Sequence, residues 1–321
     1  MNKLKYLYEH HNGKVSDKWE LYLEKYDRIL CEYRSHPINL LEIGVQNGGS
    51  LEIWSKYFEA SSQVIGCDIN RDCYDLEYDS DNIFVIVEDS NSDQAEDKVK
   101  SLANGFDIII DDGSHHSDDI IRSFARYFPL LKDDGVYIIE DLHCSYWKSY
   151  EGGIYNLYSS MSFLKNLSDY VNREHWQPED ENFINPILDQ LCKVDASIDD
   201  DQLKKLHSIE FVNSMCIIKK RPVKNNTLGR RFIVGQDNSV KNLDAHQFKG
   251  LKVSKEELDV QEQSPISTIR AYQNERSLMA EKLENLESEL HGIYQSNSWK
   301  YTSLFRLASR IIKKMVPNQL R

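Results

Sequence analysis

The sequence predicts an α/β fold: a doubly wound, Rossmann-like, mostly parallel sheet closed by an antiparallel hairpin, with a C-terminal coiled-coil helix. Three observations predict it. From 39 to 220, short apolar runs alternate with amphipathic stretches at the spacing of strand–helix–strand units. Two of those runs, 108–110 and 136–139, are apolar on both faces, as in fully buried parallel strands. Downstream, Tyr272, Arg276, Met279, Leu283, Leu286, Leu290 and Ile293 recur at alternating four- and three-residue steps, which is a heptad seam.

The elements follow in order. Residues 1–36 read as a helical segment, because Trp19, Tyr22, Tyr26, Leu30 and Tyr33 share one apolar face. Core packing and a lid over a ligand are both open to those rings. The main domain spans 37–222. Residues 39–43 form a strand entering a Gly-rich turn, and a helix bearing Leu51, Ile53, Trp54 and Phe58 follows. A second strand, 63–68, ends in Asp68, and a third, 83–87, leads into Glu88 and Asp89. A helix over 93–104 leads to the fourth strand, 106–110, and one over 118–131 to the fifth, 136–140. Residues 150–205 read as an insertion with helices at 159–175 and 186–193, placed to wall a substrate pocket. Strands at 208–212 and 215–220, separated by Asn213 and Ser214, form the closing hairpin.

Composition narrows the function classes. A formal charge of -13 over 321 residues argues against a nucleic-acid binder, whose footprint is basic. The six cysteines are scattered without a CxxC pair, the pattern of reduced thiols rather than a disulfide framework or zinc site. The N-terminus lacks an apolar core of signal-peptide length, and no apolar run approaches a membrane span. A cytoplasmic enzyme is the expectation. Residues 223–264 are a polar linker. The seam in 265–295 implies a homo-oligomer through a coiled coil; a single helix docked on the domain is the competing reading. Residues 296–321 hold no acid and interleave Lys300, Arg306, Arg310, Lys313, Lys314 and Arg321 with apolar side chains. Such a basic amphipathic tail suits the anionic inner face of the cell membrane, which makes peripheral attachment one expectation and a protein partner the other.

The two buried strands end in chemistry. The run at 108–110 passes into DDGSHH (111–116), and the run at 136–139 into EDLH (140–143). Ligands bind at the carboxyl ends of strands in open α/β sheets. Carboxylates crowded there repel one another unless a cation or proton intervenes, and an oxygen-rich cluster suits a hard ion such as Mg2+. At the first turn, Gly44, Gly48 and Gly49 let the backbone pass close to a ligand. Asp68 is placed for ribose hydroxyls and Asp89 for an adenine amino group. Glu42 would repel a pyrophosphate but suits an ammonium, which points away from NAD and toward S-adenosylmethionine.

These strings, with LLEIGVQNGGSLEIW (40–54) and EDLHCSYW (140–147), resemble class I S-adenosylmethionine-dependent methyltransferases. More narrowly they resemble the metal-dependent sugar O-methyltransferases of the macrocin and mycinamicin type, within a superfamily that includes cephalosporin hydroxylase-like proteins and rhamnosyl O-methyltransferases. The resemblance covers about 15–220. It implies S-adenosylmethionine held by Glu42, Gly44, Gln46, Gly48, Ser50, Asp68, Asp89 and Asp111. It implies Mg2+ held by Asp112, Glu140 and Asp141, with His115 as general base; His116 and His143 are alternatives for the base or for support. The chemistry agrees: a coordinated hydroxyl is more acidic, and an imidazole nearby takes its proton as the methyl group transfers. Tyr146 and Trp147 suit either stacking on a sugar ring or core packing. The segment 293–306 resembles pieces appended to bacterial glycosyltransferases and polysaccharide-modifying enzymes. The acceptor expected is therefore a glycan, in surface polysaccharide (O-antigen or capsule) synthesis, alongside glycan-assembly proteins. Two other readings stand beside this one. An iron-dependent oxygenase would improvise a two-His-one-carboxylate triad from His115, His143 and Asp112. A non-catalytic scaffold would keep only the fold and the coiled coil.

Overall fold

A computed structural model describes residues 2–59, 62–175 and 186–235, and the positions 279, 282, 283, 285, 286, 288, 290–292, 294, 299, 301 and 302. The chain divides into two units, Met1–Ser254 and Lys255–Arg321. The first opens with helices α1 (Lys3–Glu9) and α2 (Glu20–Leu30). There follow β1 (Asn39–Ile43), α3 (Gly49–Tyr57), β2 (Gln63–Asp68), β3 (Ile83–Val87), α4 (Asp93–Leu102), β4 (Phe106–Asp111), α5 (Ser117–Tyr127) and β5 (Leu131–Ile139). Helices α6 (Ser160–Val171), α7 (Pro186–Lys193) and α8 (Asp200–Leu203) precede the hairpin of β6 (Leu206–Val212) and β7 (Met215–Lys220).

The sheet has seven strands in the order β3-β2-β1-β4-β5-β7-β6. Strands β1 to β5 are parallel, and the hairpin adds antiparallel to β5. The winding reverses between β1 and β4, so the crevice outside their carboxyl ends is the switch point. The paired register puts Ile43 beside Asp111 at those ends, and Asp111 beside Ile139 of β5.

Strand alternation explains the two-sided apolar runs. Ile109 packs against α4 to α7, while Ile108 and Ile110 pack against α1 to α3, and all three are fully buried. Burying one such side chain contributes on the order of 1.5–3 kcal/mol. In α5, Ile120, Ile121, Phe124 and Tyr127 fall on the face that covers the sheet.

Several boundaries differ from expectation, each for a physical reason. The N-terminal segment is two helices, and Trp19 is the residue before α2, 62% exposed, while Tyr22, Tyr26, Leu30 and Tyr33 are buried. The apolar stripe starts only where helical geometry starts. Strand β5 begins at Leu131 instead of 136, because Lys132 to Asp134 bulge outward into solvent while Leu131 pairs with Phe106. Helix α6 ends at Val171, short of 175. Among the described cysteines, Cys67, Cys73, Cys144 and Cys216 are buried free thiols.

In the second unit, the described seam residues Met279, Leu283, Leu286 and Leu290 are helical and exposed. Tyr272, Arg276 and Ile293 of the seam, and most of 296–321, lie outside the described residues. Among the described residues no helix is long and apolar enough to cross a membrane.

Candidate active site

A cavity of about 450 Å³ opens at the switch point. Its walls come from the turn after β1 (Gly44 to Gln46), the ends of β2 and β4, the segment 111–115, Asp141, and the N-terminal stretch 15–18.

The turn is shaped by contact with its neighbour strand. Gly44 has φ +91°, and a Cβ there would lie 2.0 Å from the Asp112 carbonyl oxygen, so only glycine lets the two strand tips approach. Gly48, at φ +82°, packs against the Tyr78 hydroxyl and lies outside the cavity lining. Asp68 pins the turn from β2: its Oδ2 accepts from Val45 N–H (2.7 Å) and Gln46 N–H (2.9 Å). Its Oδ1 accepts from Asn70 N–H at 2.8 Å. Asp89 lines the cavity and accepts from Asn91 N–H at 2.9 Å.

Glu42, the last-but-one residue of β1, is fully buried and, like Gly48, outside the cavity lining. Ser50 donates to its Oε2 at 2.8 Å, while Oε1 is buried without a hydrogen bond. Burial pushes its carboxyl up to about 7, against the pull of Lys18 and with the push of Asp112. A buried carboxylate oxygen without a donor is what an incoming ammonium would satisfy. Asp111 also lines the cavity; its Oδ2 accepts from the Tyr137 hydroxyl at 3.5 Å, and burial raises its carboxyl to about 7.

Asp112 stands between two groupings. On the cavity side, ligand-capable atoms of Asp112, His115 and Asp141 all lie within 4.8 Å of one another. His115 Nε2 is 3.8 Å from Asp141 Oδ2. Both residues hold left-handed backbone, φ 59° for His115 and 51° for Asp141, conformations that non-glycine residues adopt at a cost. Tyr22 OH donates to Asp141 Oδ1 at 2.9 Å and fixes its side chain. The two carboxylates at this spacing fit a hard divalent ion, with the imidazole free to stand beside it.

On the buried side is a residue that the sequence did not single out. The Lys18 side chain is 3% exposed. Its ammonium bonds Asp112, lies 2.7 Å from Glu140 Oε1 and is 3.9 Å from Glu42 Oε1. Burial alone would lower the Lys18 pKa, but the three carboxylates outweigh it and hold it well above the ordinary value. Glu140 also accepts from Tyr26 OH at 2.5 Å; burial pushes its carboxyl up, against Lys18. Thus Glu140 faces Lys18 and Tyr26 and is outside the Asp112–His115–Asp141 grouping. Lys18, Tyr22 and Tyr26 are spaced by four residues. That periodicity marked the tyrosines as one face; nothing local marked the lysine.

The other imidazoles lie outside that grouping. His143 Nδ1 is 2.5 Å from Ser214 Oγ and 3.9 Å from Asp141 Oδ1. His116 faces Glu151 and Tyr150. Among the described residues the ion-binding grouping therefore contains one imidazole, His115, rather than the two that an oxygenase triad needs.

No protein-family model and no curated protein matches the sequence. Solved structures do. The chain is similar to the MycE methyltransferase of the mycinamycin biosynthetic pathway, in complex with Mg and SAH, at 26% identity and a TM-score of 0.56. The match covers 71% of this chain and 55% of that one. MycE in complex with Mg, SAH and mycinamycin VI gives 25% identity and a TM-score of 0.55, covering 71% and 54%. The chain thus resembles an S-adenosylmethionine-dependent O-methyltransferase in fold, and spans about half of MycE's length.

Proposed function

We propose that this chain is a Mg2+-dependent O-methyltransferase that moves a methyl group from S-adenosylmethionine to a sugar hydroxyl. One observation carries the reading. Asp112, His115 and Asp141 line the same cavity as the Gly44 turn, and Glu42, two residues before Gly44, keeps a buried Oε1 without a hydrogen bond. MycE, which is similar over 71% of this chain, binds Mg, SAH and a mycinamycin.

Glu42 takes the donor's ammonium. The turn, pinned by Asp68, lies along the rest of the donor, with Ser50 orienting Glu42 and Asp89 at the adenine end. Asp112 and Asp141 hold the ion. Such an ion lowers the pKa of a hydroxyl that it coordinates. His115 accepts the hydroxyl proton at Nε2 as the methyl group leaves the sulfonium. His143, bonded to Ser214, supports Asp141. Glu140 is reserved to the ion on its far side, where Lys18 now stands. The single imidazole in the grouping supports this reading over the oxygenase.

The acceptor proposed is a bacterial surface glycan, with 223–264 as linker, 265–295 as self-association helix and 296–321 as an attachment to the inner membrane surface or to glycan-assembly proteins. Deleting 296–321 is expected to release the protein from membranes without abolishing turnover. The main test is incubation with methyl-labelled S-adenosylmethionine and a panel of glycans, with and without EDTA. Label transfer that EDTA abolishes, and that Asp112→Ala and His115→Ala each reduce by about 1000-fold or more, is expected. Transfer indifferent to EDTA and to both substitutions overturns the assignment.

A further inference from the structure

We propose that the loop after β5 is an acceptor subsite, which stacks a second sugar ring beside the one being methylated, so that the acceptor is an oligosaccharide end. The proposal rests on the sugar O-methyltransferase reading above.

The sequence left Tyr146 and Trp147 between core packing and ring stacking. They are 43% and 49% exposed, so the core does not hold them. Their exposure is built into the backbone. Trp147 N–H donates to Cys144 O (2.9 Å), Tyr150 N–H to Trp147 O (3.0 Å), Gly152 N–H to Trp147 O (2.9 Å) and Gly153 N–H to Ser145 O (2.8 Å). A Cβ at Gly152 would lie 2.3 Å from Ser145 O, so the loop folds onto itself without slack. Cys144 and Ser145 point inward and are buried. A rigid turn that holds large rings in water marks a binding surface.

The rings form a continuous wall. Centroids are 5.0 Å apart for His143 and Trp147, 5.9 Å for Trp147 and Tyr150, and 5.1 Å for Tyr150 and His116. The wall starts at the candidate ion site, where His143 Nδ1 is 3.9 Å from Asp141 Oδ1. It ends at Glu151, whose Oε1 is 3.9 Å from His116 Nδ1. Trp147 therefore stands one ring beyond the group next to the acids. Aromatic surface edged by imidazole and carboxylate matches a pyranose, whose C–H face lies on the ring while its hydroxyls bond the polar edge. Both ends of the wall carry acids, which disfavours the diphosphate of a nucleotide sugar.

The test uses the full chain with SAH and Mn2+ present. Matched mono-, di- and trisaccharides of glucose, mannose, galactose and rhamnose are titrated, read by saturation-transfer NMR and calorimetry. For the sugar that binds, the disaccharide is expected to bind roughly tenfold tighter than the monosaccharide. Trp147→Ala removes that difference, Trp147→Phe keeps most of it, and SAH and Mn2+ affinities stay at the wild-type value in both. Absence of binding by every saccharide overturns the subsite. So does equal affinity for one ring and two, a length dependence that survives Trp147→Ala, or an octyl glycoside of the monosaccharide, titrated alongside, that binds as tightly as the disaccharide. Failure of SAH and Mn2+ to bind the wild type would instead count against the methyltransferase reading.

Discussion

Lys18 and Lys220 are both buried, at opposite ends of one sheet, and their surroundings differ in kind. Lys220 ends β7, at the amino ends of the parallel strands. Its ammonium donates to the carbonyls of Phe128 (2.9 Å), Pro129 (3.2 Å) and Leu131 (2.7 Å) and to Gln202 Oε1 (3.0 Å). Those carbonyls lie in the turn that leads from α5 into β5, which the ammonium ties together. Every acceptor is neutral and every donor is used. Lys18, at the carboxyl ends, faces Glu42, Asp112 and Glu140, and still leaves Glu42 Oε1 without a hydrogen bond. One end is closed by hydrogen bonds to neutral acceptors, though burial lowers Lys220 to about 8; the other keeps charges that a ligand can rearrange. Perturbed acids gather at the second end, which is where a site is expected.

The contrast can be broken at either lysine. Lys220→Met is expected to cost the most stability, about 3 kcal/mol, because carbonyls cannot take up a proton to relieve their loss. The melting temperature should fall by several degrees while SAH affinity holds within a factor of two. Loss of SAH binding by the folded variant would show that the two ends are not independent.

Lys18→Met should cost less, about 1–2 kcal/mol, since Glu42 and Glu140 can protonate once the cation is gone. Mn2+ should then raise the variant's melting temperature more than the wild type's, because a competing cation has been removed from Asp112 and Glu140. Equal Mn2+ shifts in the two proteins would mean that Lys18 does not stand where an ion acts.

The smallest effect is one of pH. Glu42 is raised from 4.5 to about 7 by burial, so the fold favours its neutral form. Its contribution to stability is complete below about 4.5 and is lost as pH climbs through about 7. The charged form that appears above that point attracts an ammonium, so SAH should bind up to about tenfold tighter at high pH than at low. Calorimetry across that range on Glu42→Gln should show a flat profile; a slope equal to the wild type's would remove Glu42 from the donor site.

Some of this was legible in the chain and some was not, and particular residues show why. Ile108 to Ile110 announced a two-sided strand because strand side chains alternate, whatever lies beyond them. Asp112, Glu140 and Asp141 were readable as neighbours, with His115 close by, because each lies just beyond such a strand and neighbouring strands bring their tips together; that His115 rather than Glu140 joins the two aspartates was not. Trp19 was misplaced on the buried stripe because the periodicity does not say where the helix begins. Leu131 was missed as a strand start because Lys132 to Asp134 look like a turn when their pairing partner is unknown. Tyr22 and Tyr26 were visible as a face, but not their hydroxyls on Asp141 and Glu140.

The sequence by itself determined the order of strands and helices, which strand ends carry acids and imidazoles, and hence the kind of chemistry. Tertiary structure alone decided that Lys18 reaches Asp112 across 94 residues, that Glu140 turns toward it, and that Trp147 faces solvent. Side-chain alternation and helical repeat act between near neighbours and leave a pattern in the chain. A salt bridge between distant segments depends on how whole layers pack, and nothing in the residues flanking either partner records it.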